Sequence, residues 1–216
     1  MTDVTVVHLM RHGEVHNPDG VLYGRLPGYH LSALGLEMAE VVAAAFTGRD
    51  VAYLAASPLE RAQETAVPFA RVLDLPVVTD ARLVEASNHF QGLTFGVGDG
   101  SLRHPRHWRY LRNPFRPSWG EPYRVQAGRV LAAMADARDA ALGREAVLVS
   151  HQLPIWTARS FVEDRRLWHD PRKRECTLAS VTSFTYEGLD IVAVDYDEPA
   201  RELLPARASK RFTAGA

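Results

Sequence analysis

Residues 4–14 read Val-Thr-Val-Val-His-Leu-Met-Arg-His-Gly-Glu. The run from Val4 to Met10 is short, apolar and rich in β-branched residues, the pattern of a strand buried on both faces. Arg11, His12, Gly13 and Glu14 then stand at its C-terminal end. A second run of the same kind, residues 146–150 (Ala-Val-Leu-Val-Ser), ends at His151. Between them, residues 51–56 form another apolar run, followed by Ser57-Pro58 and Arg61. Ser then Pro predicts an N-cap and first helical position, which puts Arg61 in the first turn of a helix. Pro68 is expected to kink or end that helix.

The rest of the chain fills in around these runs. Residues 17–30 are rich in Gly, Pro and Tyr and read as a loop. Ser32 caps an apolar-periodic helix over 34–46, with Gly48 as its stop. A short strand is expected at 76–79. Residues 83–85 lead into an irregular loop marked by Gly92, Gly96, Gly98 and Gly100. A long alanine-rich helix is expected over 122–142 and another over 154–162. Strands over 178–186 and 189–196 flank Glu187-Gly188 as a hairpin. Alternating strands and helices with a terminal hairpin predict an α/β three-layer sandwich. Its sheet is mostly parallel with an antiparallel edge hairpin, and helices cover both faces. Ligands in such folds bind beyond the carboxyl ends of the strands. Arg11-His12, Ser57 to Arg61 and His151 therefore converge on one edge.

Composition narrows the function classes. The chain has 216 residues, 46% hydrophobic and 24% charged, which suits a globular protein. Its net charge of −1 gives no global attraction to nucleic acid or anionic lipid. The start of the chain lacks the pattern of a signal peptide, and no apolar run reaches the roughly 18 residues of a membrane span. One cysteine, Cys176, cannot form an internal disulfide. These features predict a cytoplasmic protein with one domain over residues 1–198 and a loose tail over 199–216. The oligomeric state is not legible.

The residues at the strand ends suit phosphoryl chemistry. Arg11 and Arg61 each offer a planar fork that grips phosphate oxygens. A histidine beside them can serve as nucleophile, and a neutral carboxylic acid can protonate the leaving oxygen. No metal or other cofactor is required for this. His8, His12 and His16 recur every four residues, but residues four apart on a strand lie about 13 Å from each other. They are not read as a metal site.

These residues fall into blocks that resemble the histidine phosphatase superfamily, the phosphoglycerate mutase-like proteins. Leu9-Met10-Arg11-His12-Gly13-Glu14 matches the family signature, followed in order by Gly24-Arg25, Leu31-Ser32 with Gly35, and residues 57–66 carrying Arg61. Leu83-Val84-Glu85 with Gly92, then Val149-Ser150-His151, complete the set. The resemblance spans about residues 5–160. It implies that His12 becomes a phosphohistidine, that Arg11, Arg61 and His151 hold the phosphoryl group, and that Glu85 is the general acid and then the base. Asn17 is implied as a further phosphate contact. Gln152 stands where the family usually has Gly, and its side chain is expected to narrow the pocket or touch substrate. The expected activity is a metal-independent phosphatase acting on a small phosphorylated metabolite. The alternatives are a phosphoglycerate mutase-type isomerase and a non-catalytic phospho-ligand or protein-binding module.

Three further features bear on the site. Glu14 is a weaker candidate for the acid than Glu85. His169-Asp170 looks like the His-Asp pair of the acid phosphatase branch, but it follows no buried strand and is read as unrelated to catalysis. The segment 101–118 holds Arg103, Arg106, Arg109, Arg112 and Arg116, interleaved with His104, His107 and Trp108. It is read as part of a lid over 88–121 that screens for anionic substrates, in preference to a solvated or oligomer-facing surface and to a nucleic-acid patch.

Overall fold

A computed structural model describes residues 4–94, 104–113 and 115–204. Strands are β1 (Val4–Arg11), β2 (Val51–Ala56), β3 (Val78–Thr79), β4 (Glu145–Ser150), β5 (Val181–Glu187) and β6 (Asp190–Asp197). Helices are α1 (Ala33–Ala44), α2 (Glu60–Leu73), α3 (Pro105–Trp108), α4 (Tyr123–Ala140) and α5 (Gln152–Val162). The strands form one sheet in the order β3-β2-β4-β1-β5-β6. The β1–β4, β2–β4 and β2–β3 pairs are parallel, and β1–β5 and β5–β6 are antiparallel. The expected mixed sheet with an antiparallel edge hairpin is therefore present.

The layers follow from strand alternation, since successive side chains point to opposite faces. Val7 and Leu9 of β1 and Ala146 and Leu148 of β4 join one core with Val130, Met134 and Ala137 of α4 and Ile155 of α5. Met10 and Val147 face the other way, into a core with Met38 and Val42 of α1 and Phe69 of α2. Helices thus cover both faces. At roughly 25 cal/mol per Å2 of apolar area removed from water, burial of each large side chain contributes about 1.5–3 kcal/mol. No helix among the described residues is long and apolar enough to cross a membrane.

Register sets the location of the site. Arg11 pairs with Ser150 across β1–β4, and Ala56 with Val149 across β2–β4. The His12 N–H donates to Ser150 O (3.1 Å) and the Ser57 N–H to Val149 O (2.9 Å). His12, Ser57 and His151 consequently leave three neighbouring parallel strands at the same edge.

Several local expectations are corrected. Helix α2 starts two residues late: Leu59 is its N-cap and supplies no side-chain bond. The Ser57 hydroxyl is 3.4 Å from Leu59 N, but only 2.7 Å from His151 Nε2. Pro68 does not end α2, which runs on to Leu73. Pro68 is buried beside Phe69 in the α2 stripe, and that packing offsets the missing backbone bond. Glu187 pairs with Asp190, so the hairpin turn is Gly188-Leu189, one residue later than expected. Gly188 has φ +62°, which glycine adopts without strain. The tail is not loose at its start: Arg201–Leu203 form a 3-10 turn, and Ala200 is buried in the core beneath α1 and α2. Gly96, Gly98, Gly100 and Arg103 lie outside the described residues.

Candidate active site

The turn after β1 is held by backbone packing and short polar bonds. Gly13 N donates to Thr65 Oγ1 (3.1 Å), which in turn donates to Arg61 O (2.7 Å). Ser32 caps α1 by accepting from Gly35 N (3.0 Å), and its hydroxyl donates to Glu14 Oε2 (2.5 Å). Glu14 is thereby engaged in fastening α1 to the turn.

Five residues meet inside this frame: Arg11, His12, Arg61, Glu85 and His151, all at most 2% exposed. Each is anchored by one side and leaves the other without a protein partner. Arg11 NH1 donates to Cys176 O (2.8 Å), leaving Nε and NH2. Arg61 NH2 donates to Gly24 O (2.6 Å), leaving Nε and NH1, and its guanidinium lies over the Tyr23 ring at 4.7 Å. His12 Nδ1 donates to Gly13 O (2.7 Å), leaving Nε2. His151 Nε2 bonds Ser57 Oγ, leaving Nδ1. Glu85 Oε1 accepts from Ala86 N (2.7 Å), leaving Oε2. The two histidine rings are 5.1 Å apart. A buried polar atom without a partner costs about 1–3 kcal/mol, so seven such atoms in one place mark a site shaped for a ligand at the expense of stability.

Protonation follows from burial and charge. Burial, then the Arg61 and Arg11 charges, hold His12 well below the ordinary imidazole range. Burial and Arg61 do the same to His151. Both rings are neutral at pH 7. With Nδ1–H fixed on Gly13 O, the His12 lone pair sits on Nε2, free to attack. Burial pushes the Glu85 carboxyl up, against the pull of its backbone bond and of Arg61, Arg174 and Arg11. Glu85 is held from its backbone side: its carbonyl accepts from Arg25 Nε (2.5 Å), and Arg25 and Arg129 share the Glu121 carboxylate. Ser150 Oγ grips the same segment through Leu83 O (2.7 Å).

Two expected contacts are placed differently. The Asn17 amide bonds Val21 at both ends, donating to its carbonyl (2.9 Å) and accepting from its N–H (3.0 Å). It closes the 17–21 turn. Gln152 is buried, but its amide donates to Cys176 O (3.3 Å) and accepts from Arg174 NH1 (3.1 Å). Arg174 itself escaped the sequence reading. It sits on an irregular segment, 22 residues beyond Gln152, and no local pattern marks it. Ser57, expected to cap a helix, is the partner of His151 instead.

The excursion after Glu85 is fastened to residues 87–90. The Glu121 N–H donates to Ser87 O (3.1 Å), and the His89 and Tyr110 rings stack at 3.4 Å. A groove of about 880 Å3 opens beside Tyr123, lined by Phe115, Arg116, Arg124 and Trp168 but by none of the five convergent residues. His8 bonds Ser183 and Glu145, away from His12. Among the described residues no group of three His, Cys, Asp or Glu side chains is arranged to hold a metal.

The arrangement has the chemistry to receive a tetrahedral oxyanion: two guanidinium edges and a second imidazole around a neutral imidazole nitrogen, with a carboxyl alongside. The profile of the histidine phosphatase superfamily (branch 1) matches residues 7–198. The uncharacterized protein Rv0525 of Mycobacterium tuberculosis is 56% identical over 200 residues, covering 93% of this chain and 99% of that one. The structure of mycobacterial glucosyl-3-phosphoglycerate phosphatase Rv2419c superposes with a TM-score of 0.71 at 25% identity, covering 90% of this chain and 98% of that one. A phosphoserine phosphatase from Entamoeba histolytica, solved with 3-phosphoglyceric acid, shares the fold at TM-score 0.74 and 21% identity, covering 93% and 100%.

Proposed function

Because the chain belongs to the histidine phosphatase superfamily, we propose that it is a metal-independent phosphatase of a small phosphorylated metabolite. The observation that carries this reading is the convergence of unpartnered buried atoms from Arg11, His12, Arg61, Glu85 and His151. Arg11 and Arg61 supply the positive charge that phosphoryl transfer needs, and His151 Nδ1–H adds a donor to the same oxygens. Ser57 donates its hydroxyl proton to His151 Nε2 and so keeps the ring proton on Nδ1.

In the first step His12 Nε2 attacks phosphorus and the P–O ester bond breaks. The Glu85 carboxyl gives its proton to the leaving alkoxide, and the alcohol departs. In the second step Glu85, now a carboxylate, takes a proton from water as its oxygen attacks phosphorus. The N–P bond breaks, phosphate leaves and His12 returns neutral. Burial keeps enough of Glu85 protonated to start the cycle. The likeness to a mycobacterial phosphatase named for glucosyl-3-phosphoglycerate supports a small organic phosphate as substrate. The net charge of −1 speaks against nucleic acid. We further assign the described residues through Leu204 to one domain, the described parts of segment 88–121 (88–94, 104–113 and 115–121) to a lid, and the protein to the cytoplasm, where the lone buried Cys176 stays reduced.

The test is phosphate release from p-nitrophenyl phosphate and a panel of metabolite monoesters, in EDTA, by wild type and His12→Ala. Release by wild type and loss in the variant is the expected result. Isomerisation of phosphoglycerate without release would establish a mutase. Phosphate binding without turnover would leave a binding module.

A further inference from the structure

The site holds one cation more than transfer of a phosphoryl group uses. Arg174 follows the 3-10 turn Pro171–Lys173. Its Nε donates to His169 Nε2 (2.8 Å) and its NH1 to Gln152 Oε1 (3.1 Å). Neither acceptor carries charge. Gln152 is an amide, and His169 is neutral, held down to about 4 by burial and by Arg174 itself. His169 Nδ1 donates to Leu167 O (2.6 Å), which leaves Nε2 as the acceptor for the guanidinium. The ring is wedged against Trp156 and Tyr123, at 5.6 and 5.8 Å between centroids. Other arginines nearby have carboxylates: Arg172 pairs with Asp170, and Arg159 with Glu163 and Glu175. Among the described residues Arg174 forms no ion pair, and its NH2 makes no hydrogen bond.

Arg174 is tied to the phosphoryl site by a continuous set of bonds. Cys176 O accepts from both Arg11 NH1 and Gln152 Nε2, and Gln152 Oε1 accepts from Arg174. Arg174, like Arg61 and Arg11, pulls the Glu85 carboxyl toward its charged form. A half-buried guanidinium without a counter-charge is costly, and desolvation lowers its pKa to about 10. Three guanidiniums therefore face one carboxylate that acts in its neutral form. A dianionic phosphoryl group offsets two of those charges and leaves one. A monoanionic group on the substrate matches the remainder, and a second phosphate dianion exceeds it.

We propose that Arg174, oriented by Gln152 and His169, binds a carboxylate on the substrate, so that the substrate is the phosphomonoester of a hydroxy acid. This rests on the phosphatase reading, and it gives Gln152 its role: the side chain that replaces the family's glycine holds the carboxylate receptor in place.

The experiment uses two probes that differ at one carbon, 3-phosphoglycerate (carboxylate) and glycerol 3-phosphate (hydroxymethyl). Binding is measured by calorimetry on His12→Ala, which has no nucleophile, with and without Arg174→Ala. A charge-assisted bond predicts about a 10–100-fold preference for 3-phosphoglycerate, collapsing to near parity in Arg174→Ala. Gln152→Glu leaves Arg174 whole and sets a fixed carboxylate beside it. It is expected to erase the preference too, and it serves as the test if Arg174→Ala fails to fold. Equal affinity for the two probes, or a preference that survives either folded variant, overturns the proposal. Phosphate release by wild type is scored separately. A preference without release sinks the phosphatase reading and keeps the carboxylate site; release without a preference does the reverse.

Discussion

Replacing Gly35 by alanine tests whether packing behind the β1 turn positions His12. An added Cβ at residue 35 would lie 2.0 Å from Glu14 O and 2.8 Å from Glu14 N, and one at Gly13 would lie 2.4 Å from Gly35 O. The two glycines let the turn and the start of α1 approach backbone to backbone. Relief of the contact made by the new methyl group requires the Glu14 carbonyl to move by about 1 Å, because close-packed interiors have no slack to absorb it. The strain cannot leave by rotation of a side chain, since the obstructing atoms are main chain. Glu14 also cannot drift freely, because its carboxylate and carbonyl are both bonded to Ser32. The displacement therefore passes along two residues to His12. Misplacement of a reacting group by about 1 Å costs about 100-fold in rate, and overpacking costs about 1–3 kcal/mol. For a chain of this size that is a fall of roughly 2–12 °C in Tm. The assay is kcat for p-nitrophenyl phosphate together with Tm by differential scanning calorimetry. Gly128→Ala is the control: it lies within α4 with nothing within 4 Å of the added Cβ. It should keep wild-type kcat and gain about 0.5–1 kcal/mol from reduced unfolded-state freedom. Wild-type kcat in folded Gly35→Ala would refute the claim that this packing sets His12.

Ser57→Ala removes the partner of His151 Nε2 and should lower kcat/KM about three- to tenfold without changing the circular dichroism spectrum, through loss of one hydrogen bond that selects the tautomer. Glu85→Gln should lower kcat by about 100- to 10,000-fold, and its pH dependence has a definite sign. Wild-type kcat falls as pH rises through the upward-shifted Glu85 pKa, because the acid is lost, and that basic limb should vanish in Glu85→Gln. Stability follows the same group: the neutral carboxyl suits the fold below its unfolded pKa, and that contribution is lost as pH rises through the folded value. Glu85→Gln should accordingly melt higher than wild type at pH 8 and not at pH 4; a lower Tm at pH 8 contradicts the buried-acid assignment. Inorganic phosphate at about 100 times its Kd should stabilise the protein by about 2.7 kcal/mol, or roughly 5–10 °C. Thermal shift of Arg61→Ala should show no such gain.

Much of the fold was legible because β1 and β4 are continuous apolar runs that suit only a doubly covered strand. Their neighbours in sequence carry the site, so Arg11, His12 and His151 could be located once the strand ends were. Arg61 and Glu85 became legible through the blocks around them. Boundaries read from local punctuation fared worse. Ser57-Pro58 looks like a helix start, yet Leu59 holds that position, because the Ser57 hydroxyl finds a buried imidazole from 94 residues away. Pro68 looks like a stop, yet packing around Phe69 carries α2 past it. Asn17 matches a family position, but its amide satisfies the backbone of its own turn.

Hydrophobic periodicity and backbone chemistry are properties of neighbours in the chain, so the sequence by itself determined the layers, the parallel core of the sheet and the edge at which the basic residues emerge. It also determined that His12 stands beside Arg11 at a strand exit. The tertiary structure alone decided which buried atoms keep their hydrogen bonds and which are left for a ligand. It alone brought Arg174 to Gln152 and turned His169 into its acceptor. It alone set the protonation of His12, His151 and Glu85, because desolvation and through-space charge depend on what surrounds a group in three dimensions and leave no periodic mark along the chain.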